Sequence, residues 1–206
     1  MENSGTQQLS NFDGPAPAVL PPRERILRTA SDLFYRHSIH TVGIDRIIAE
    51  SGVAKMTFYK HFPSKARLIA DYLRGQTAAW LQMLAIATDR PSLSSAERVL
   101  AIFDALDVAF RQQPFRGCPF VKGLAEFGPD ADTPEIQATI ANYFQSLHDL
   151  VGALIAPLGL NNHEKTVLQI LSLIQGAIVM AQTTSDQGIA KANRDAARLL
   201  LETEGA

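Results

Sequence analysis

The sequence predicts an all-α protein of about nine helices, and three observations carry that reading. Apolar residues recur at three- and four-residue intervals along nearly the whole chain. No segment alternates apolar and polar residues for long enough to make a strand. Caps at the starts and Gly or Pro at the stops divide the periodic stretches into helix-sized pieces.

Residues 1–22 are rich in Pro, Gly, Ser, Gln and Asn and have no apolar period, so they read as a disordered arm. From Arg23, the residues Ile26, Ala30, Leu33 and Phe34 share one helical face, predicting a first helix to about His37. Thr41-Val42-Gly43 breaks it. Ile44, Ile47 and Ile48 mark a short second helix, with Gly52 placed as a left-handed C-cap. A third short helix fits from about Ala54 to Lys60 and stops before Pro63, because the residue preceding proline avoids the helical region. Ser64 can cap a long helix carrying Leu68, Ile69, Tyr72, Leu73, Trp80, Met83 and Leu84, which ends near Asp89-Arg90-Pro91. Ser94-Ser95-Ala96-Glu97 has the form of a capping box and opens the next helix, to about Gln113. A short helix is predicted over 118–127. Thr133-Pro134-Glu135 places a cap, a first-turn proline and an acid ahead of a helix reaching Leu154. A strongly apolar helix over 163–183 and a last one over 186–202 complete the series.

Composition excludes several classes. With 206 residues, 46% hydrophobic and 19% charged, the chain suits one or two ordinary soluble domains and is too apolar for a disordered tail. The best membrane candidate, residues 151–160, is interrupted by Pro157 and falls short of the roughly 20 apolar residues a span needs. The opening MENSGTQQLSNFDG lacks both a basic and an apolar leader region, so a cytoplasmic location is expected. One cysteine makes neither an internal disulfide nor a structural zinc cluster, and no metal or cofactor is expected.

Charge is unevenly distributed. The net charge is −2, yet residues 23–76 hold ten Lys and Arg against five acids, a balance of +5, and the remainder carries −7. A basic N-terminal third on an acidic body suggests a polyanion-binding module. Its geometry agrees: two short helices across a glycine turn, preceded by a helix that packs over them, make a helix-turn-helix, whose last helix enters the DNA major groove. Ile47, Ile48, Val53, Phe58 and Phe62 supply the apolar inner face. Lys55, Thr57, Tyr59, Lys60 and His61 supply outer donors for phosphates and base edges.

The string Val42-Gly43-Ile44-Asp45-Arg46-Ile47-Ile48-Ala49-Glu50-Ser51-Gly52-Val53-Ala54-Lys55-Met56-Thr57-Phe58-Tyr59-Lys60-His61-Phe62-Pro63-Ser64-Lys65 resembles the DNA-binding signature of the TetR family of one-component bacterial repressors. The resemblance covers about residues 23–73. It implies that Thr57, Tyr59, His61 and Lys65 contact DNA, mostly its backbone, and that Lys55 and Met56 occupy the variable positions that read bases. Thr41, Gly43, Arg46 and Lys60 complete the expected DNA-binding set. Two residues depart from the family's pattern. Ala54 stands where Ser is usual and leaves the recognition helix without a side-chain cap. Arg67 stands where an acid is common and adds positive charge near the DNA.

The resemblance divides the chain into the arm, a helix-turn-helix domain over 23–70 and a ligand-binding and dimerisation domain over 71–206. Helix-turn-helix proteins read paired half-sites, so a homodimer on a palindromic operator in double-stranded DNA is expected. The apolar helix over 163–183 and the last helix would build an intermolecular four-helix bundle through Leu171, Ile174, Ile178, Ala196, Leu199 and Leu200. An effector cavity is expected among Trp80, Phe103, Phe110, Phe115, Phe120, Phe127, Tyr143 and Phe144, with Cys118 and His148 as its polar groups. The expected function is a transcriptional regulator, a repressor released by a small apolar or aromatic effector. Two alternatives stand beside it. Cys118, near a helix start, could make a redox switch. An all-α enzyme or lipid carrier fits less well, because His37, His40, His61, His148 and His163 are scattered and Cys118 has no evident base.

Overall fold

The computed structural model describes residues 20–112, 115–128, 133–184, 186 and 188–204. The arm expected over 1–22 lies outside these residues except for its last three, and Pro22 already belongs to the first helix. Among the described residues the elements are α1 (Pro22–Arg36), α2 (Ile44–Ser51), α3 (Lys55–His61), α4 (Lys65–Thr88), α5 (Ser95–Arg111), α6 (Pro119–Phe127), α7 (Pro134–Ile155), α8 (His163–Thr184) and α9 (Ile189–Glu204). A single 3-10 turn, Ala156–Leu158, follows α7, and no strand occurs among them.

Local chemistry sets the helix ends. Gly52 closes α2 at φ 64°, a left-handed conformation that glycine adopts without a Cβ penalty. Ala54 gives α3 no side-chain cap, as its identity requires. The Ser64 hydroxyl accepts from the Arg67 N–H at 3.1 Å and caps α4. Ser94 and Glu97 form both bonds of the capping box at the start of α5. Two expectations are corrected. The Thr133 hydroxyl is buried and makes no hydrogen bond, so α7 starts on Pro134 without a side-chain cap. The last helix begins at Ile189 instead of 186, because the Asp186 carboxylate accepts from the Gly188 N–H at 2.7 Å and turns the chain first.

The chain forms two compact units. One comprises Asn11–Ala78 and Pro119–Asn142. In it α1 packs across α2 and α3, burying Ile26, Ala30, Leu33 and Phe34 with Ile47, Phe58 and Phe62. Phe34 meets Tyr72 of α4 edge to face at 5.4 Å, which ties the three-helix pack to the start of the long helix. The sequence assigned everything after residue 70 to a separate body, whereas 119–142 groups with the N-terminal helices. Glu126 and Glu135, described below, hydrogen-bond and ion-pair within that unit.

The second unit includes Ala79–Cys118 and Tyr143–Ala206. Here α5 packs on α9 and α8, and α8 packs on α9. Val99, Ile102, Phe103 and Leu106 meet Val167, Ile170, Ile174, Ala177 and Ile178, with Ala190, Ala197 and Leu201 from the last helix, all buried. By length and composition α8 could cross a membrane, which corrects the choice of 151–160 as the strongest candidate. One face of α8 is filled by α9 and α5, the packing of a core helix.

Candidate nucleic-acid interface

The interface is built on α2 and α3. Phe58 and Phe62 are fully buried four residues apart, and that anchor turns the opposite face of α3 outward. Met56 is 87% exposed and Tyr59 42% exposed. Lys55 and Lys60 also face solvent, and Thr57 and His61 are half-buried beside them. Among the described residues Met56 is the most exposed large apolar side chain, and nothing in the folding of α3 calls for it. An exposed apolar tip at the start of a recognition helix suits the thymine methyl group.

Two acids hold the cations of this face in place. Arg46 Nε donates to Glu50 Oε1 at 2.7 Å, one turn along α2. Lys55 Nζ lies 3.6 Å from Asp45 Oδ1 across the glycine turn. These pairs are solvent-exposed, so they cost little to exchange for phosphate or base contacts.

The N-terminal side of α2 is held from outside the motif. Glu126, near the end of α6, accepts from the Ser38 hydroxyl at 2.9 Å, the Ile39 N–H at 3.1 Å and the His40 N–H at 2.6 Å. His40 stacks on Phe127, ring centroids 5.1 Å apart. Lys65 Nζ, at the start of α4, donates to the His40 carbonyl at 3.0 Å. Partial burial holds the Lys65 ammonium below the usual lysine range, and the Glu126 charge partly offsets that shift. Thr41 and Gly43 are exposed on the chain leaving this clasp. Sequence reasoning missed Glu126, since its partners lie 86 to 88 residues away and no local pattern announces them.

Of the ten residues expected to meet DNA, the structure places all on α2, α3, the start of α4 or the turn before α2. A family profile described as bacterial regulatory proteins of the tetR family matches residues 26–72. The HTH-type transcriptional regulator Rv0196 of Mycobacterium tuberculosis is 28% identical over 180 residues, covering 80% of this chain and 86% of that protein. The crystal structure of SCO4454, a TetR-family transcriptional regulator from Streptomyces coelicolor, superposes with a TM-score of 0.82 at 28% identity, covering 90% of this chain and 96% of that one. Residues 26–72 thus carry the sequence of a tetR-family DNA-binding segment, and the chain as a whole is similar to TetR-family transcriptional regulators. It is therefore a DNA-binding transcriptional regulator and not an enzyme. YxaF of Bacillus subtilis, another HTH-type regulator, is 24% identical over 168 residues, 80% of this chain and 87% of its own length.

The remaining expected residues of the regulator are distributed as follows. Phe120 and Phe127 are buried in the unit that carries the DNA-reading helices. Phe103, Phe110, Cys118 and Tyr143 are buried in the other, where Trp80, Phe115, Phe144 and His148 are half-buried. Phe110 and Phe115 are 4.9 Å apart between centroids, and Tyr143 and Phe144 are 5.1 Å apart. Burial, reinforced by the adjacent Cys118, drives the Tyr143 hydroxyl well above the usual phenol range. His148 Nε2 lies 3.3 Å from Glu164. Of the expected dimer set, Ile174 and Ile178 are buried within the protomer, on the helix that packs against α9 and α5. Leu171 and Leu200 are half-buried, and Ala196 and Leu199 are exposed. Leu168, Val179 and Met180 are exposed as well and were not in the expected set.

Proposed function

We propose that the regulator is a repressor that binds a palindromic operator as a homodimer and is released by a small, largely apolar or aromatic effector. The observation that carries the dimer is an uncovered stripe on the last two helices. Leu168, Ser172, Gly176, Val179 and Thr183 follow one face of α8, and Ala192, Ala196, Leu199 and Thr203 one face of α9, all exposed. Leu199 is 65% exposed on an otherwise soluble-looking helix, and small residues beside it let two helices approach closely. Two such helices from each protomer make the four-helix bundle expected from the sequence. A two-fold dimer then spaces two copies of α3 for successive turns of the major groove.

The effector reading rests on polar groups buried in the unit formed by Ala79–Cys118 and Tyr143–Ala206. Trp80 Nε1 is buried with no hydrogen-bond partner, and the Gln175 amide is buried beside the Tyr143 hydroxyl. Unpaired buried donors and acceptors are costly unless something satisfies them, and an aromatic effector with one or two polar groups would do so. Cys118 is buried, which withdraws the access that an oxidant-sensing thiol requires.

The test is stoichiometry on DNA. Sedimentation of the protein with a duplex selected from its own genome should give two chains per inverted repeat. Leu199→Asp should sediment as a monomer and bind the same duplex at least roughly tenfold more weakly, since one half-site loses its partner. A wild-type monomer that binds one half-site as tightly as the repeat would refute the dimer.

A further inference from the structure

Beside the recognition helix lies a cleft of about 410 Å³ lined by Arg23, Lys60, His61, Pro63, Ser64, Arg67, Asp71 and Glu135. All of these residues belong to the unit built on α1 to α3. Arg23 comes from the start of α1, Lys60 from the end of α3 and Arg67 from the first turn of α4, so three elements aim cations at one space. Lys60 is exposed and follows Tyr59 on the DNA-reading helix. Two carboxylates neutralise the guanidiniums. Asp71, only 9% exposed, accepts from Arg23 at 2.6 Å and also pairs with Arg67 and Arg74. Glu135, at the start of α7 and 36% exposed, receives Arg67 Nη1 at 3.2 Å and Arg74 Nη2 at 3.0 Å.

The two acids have different standing. Asp71 is the fixed base of the cluster, in contact with three arginines and nearly closed to water. Glu135 is the accessible one, a planar anion set on a guanidinium at the rim, which is the position a phosphate oxygen pair would take. We propose that this cleft is a binding site for a DNA backbone phosphate, held by Arg23, Lys60 and Arg67, in which the Glu135 carboxylate stands in for the phosphate when no DNA is bound. The site rests on the DNA-binding role of α3 and adds to it. It extends the footprint beyond Tyr59 and Lys65, and it makes α7 a competitor for Arg67. Operator binding then trades an intramolecular anion for a DNA phosphate, and any event that draws Glu135 away from Arg67 strengthens binding.

The experiment is a double-variant cycle on one labelled duplex at about 0.15 M salt, where distant exposed charges are screened. Glu135→Gln should bind roughly threefold tighter than wild type, the effect of removing one competing charge at the rim. Arg67→Gln should bind more weakly, with the slope of log affinity against log salt reduced by about 0.9, one phosphate contact. In the Arg67→Gln background the gain from Glu135→Gln should largely disappear. Arg67→Lys keeps the charge and should keep the slope. The inference is overturned if Glu135→Gln gains equally in both backgrounds, if it binds no tighter than wild type, or if Arg67→Lys loses as much slope as Arg67→Gln. Thermal melts of each variant verify folding. Loss of binding by the wild type itself would instead defeat the DNA-binding reading.

Discussion

At the scale of single residues, the balance of exposure and anchoring on α3 decides what the protein can touch. Phe58 and Phe62 fix the helix, and Met56, Tyr59 and Lys60 are left exposed on its outer face beside Lys55, which pairs with Asp45. Lys65 is the more constrained member. It donates to the His40 carbonyl and is partly desolvated, and its proton is therefore held less tightly than that of an ordinary lysine. A DNA phosphate would restore the lost stabilisation of the ammonium, so binding should take up a proton in the alkaline window just below the usual lysine range. Wild-type affinity should accordingly fall as pH rises through that window, and Lys65→Arg, always charged, should remove that part of the fall. Equal pH profiles for the two proteins would show that Lys65 makes no phosphate contact. The donors of α3 were legible because they follow one another in a short ordered string. Glu126 and Glu135 were not, because their partners lie 61 to 88 residues away, and neither was the Asp71 contact with Arg23, 48 residues away; a lone acid on a helix carries no signature of such partners.

At the scale of elements, the sequence located helices well wherever capping chemistry is local. Ser64, Ser94 with Glu97, and Gly52 all perform as their side chains predict. Thr133 and Asp186 show the limit of the same reasoning. Thr133 has the right identity for a cap but its hydroxyl is buried without a partner, and Asp186 spends its carboxylate on the turn before α9. Both outcomes depend on tertiary placement, which a residue's neighbours in sequence do not specify. Gly52 gives a direct check on the glycine turn that sets α3 against α2. An added Cβ would meet only Arg25 Nη1 at 3.8 Å, so space is not the obstacle. The obstacle is the left-handed backbone, and Gly52→Ala should cost roughly 1–2 kcal/mol in urea unfolding. An unchanged midpoint would mean that the turn relaxes to another conformation.

At the scale of the whole molecule, the sequence predicted the fold class, and the compact units divide the chain differently from the boundary expected at residue 70. The basic third and the acidic remainder suggested a module on a body, yet the compact unit around α1 to α3 takes in the acidic segment 119–142. Glu126 and Glu135 reach into that unit from far along the chain, through the His40 N–H and Arg67. The faces of α8 were half legible for a related reason. On a helix this apolar, composition alone cannot tell that Ile174 and Ile178 are buried in the protomer while Val179 is exposed. The effector chemistry was the least legible, since aromatic residues at helical spacing mark core and cavity alike.

The central claim is that α3 and the start of α4 hold DNA, and one measurement tests it most directly. Affinity for a labelled duplex taken from upstream of the protein's own gene would be measured across a salt series, for the wild type and for Tyr59→Ala combined with Lys65→Ala. The wild type should bind tightly with a steep salt dependence, and the double variant should bind at least roughly tenfold more weakly with its slope reduced by about 0.9 for the lost ammonium. A folded double variant with the affinity and slope of the wild type would contradict the account, because DNA would then be held by some other surface.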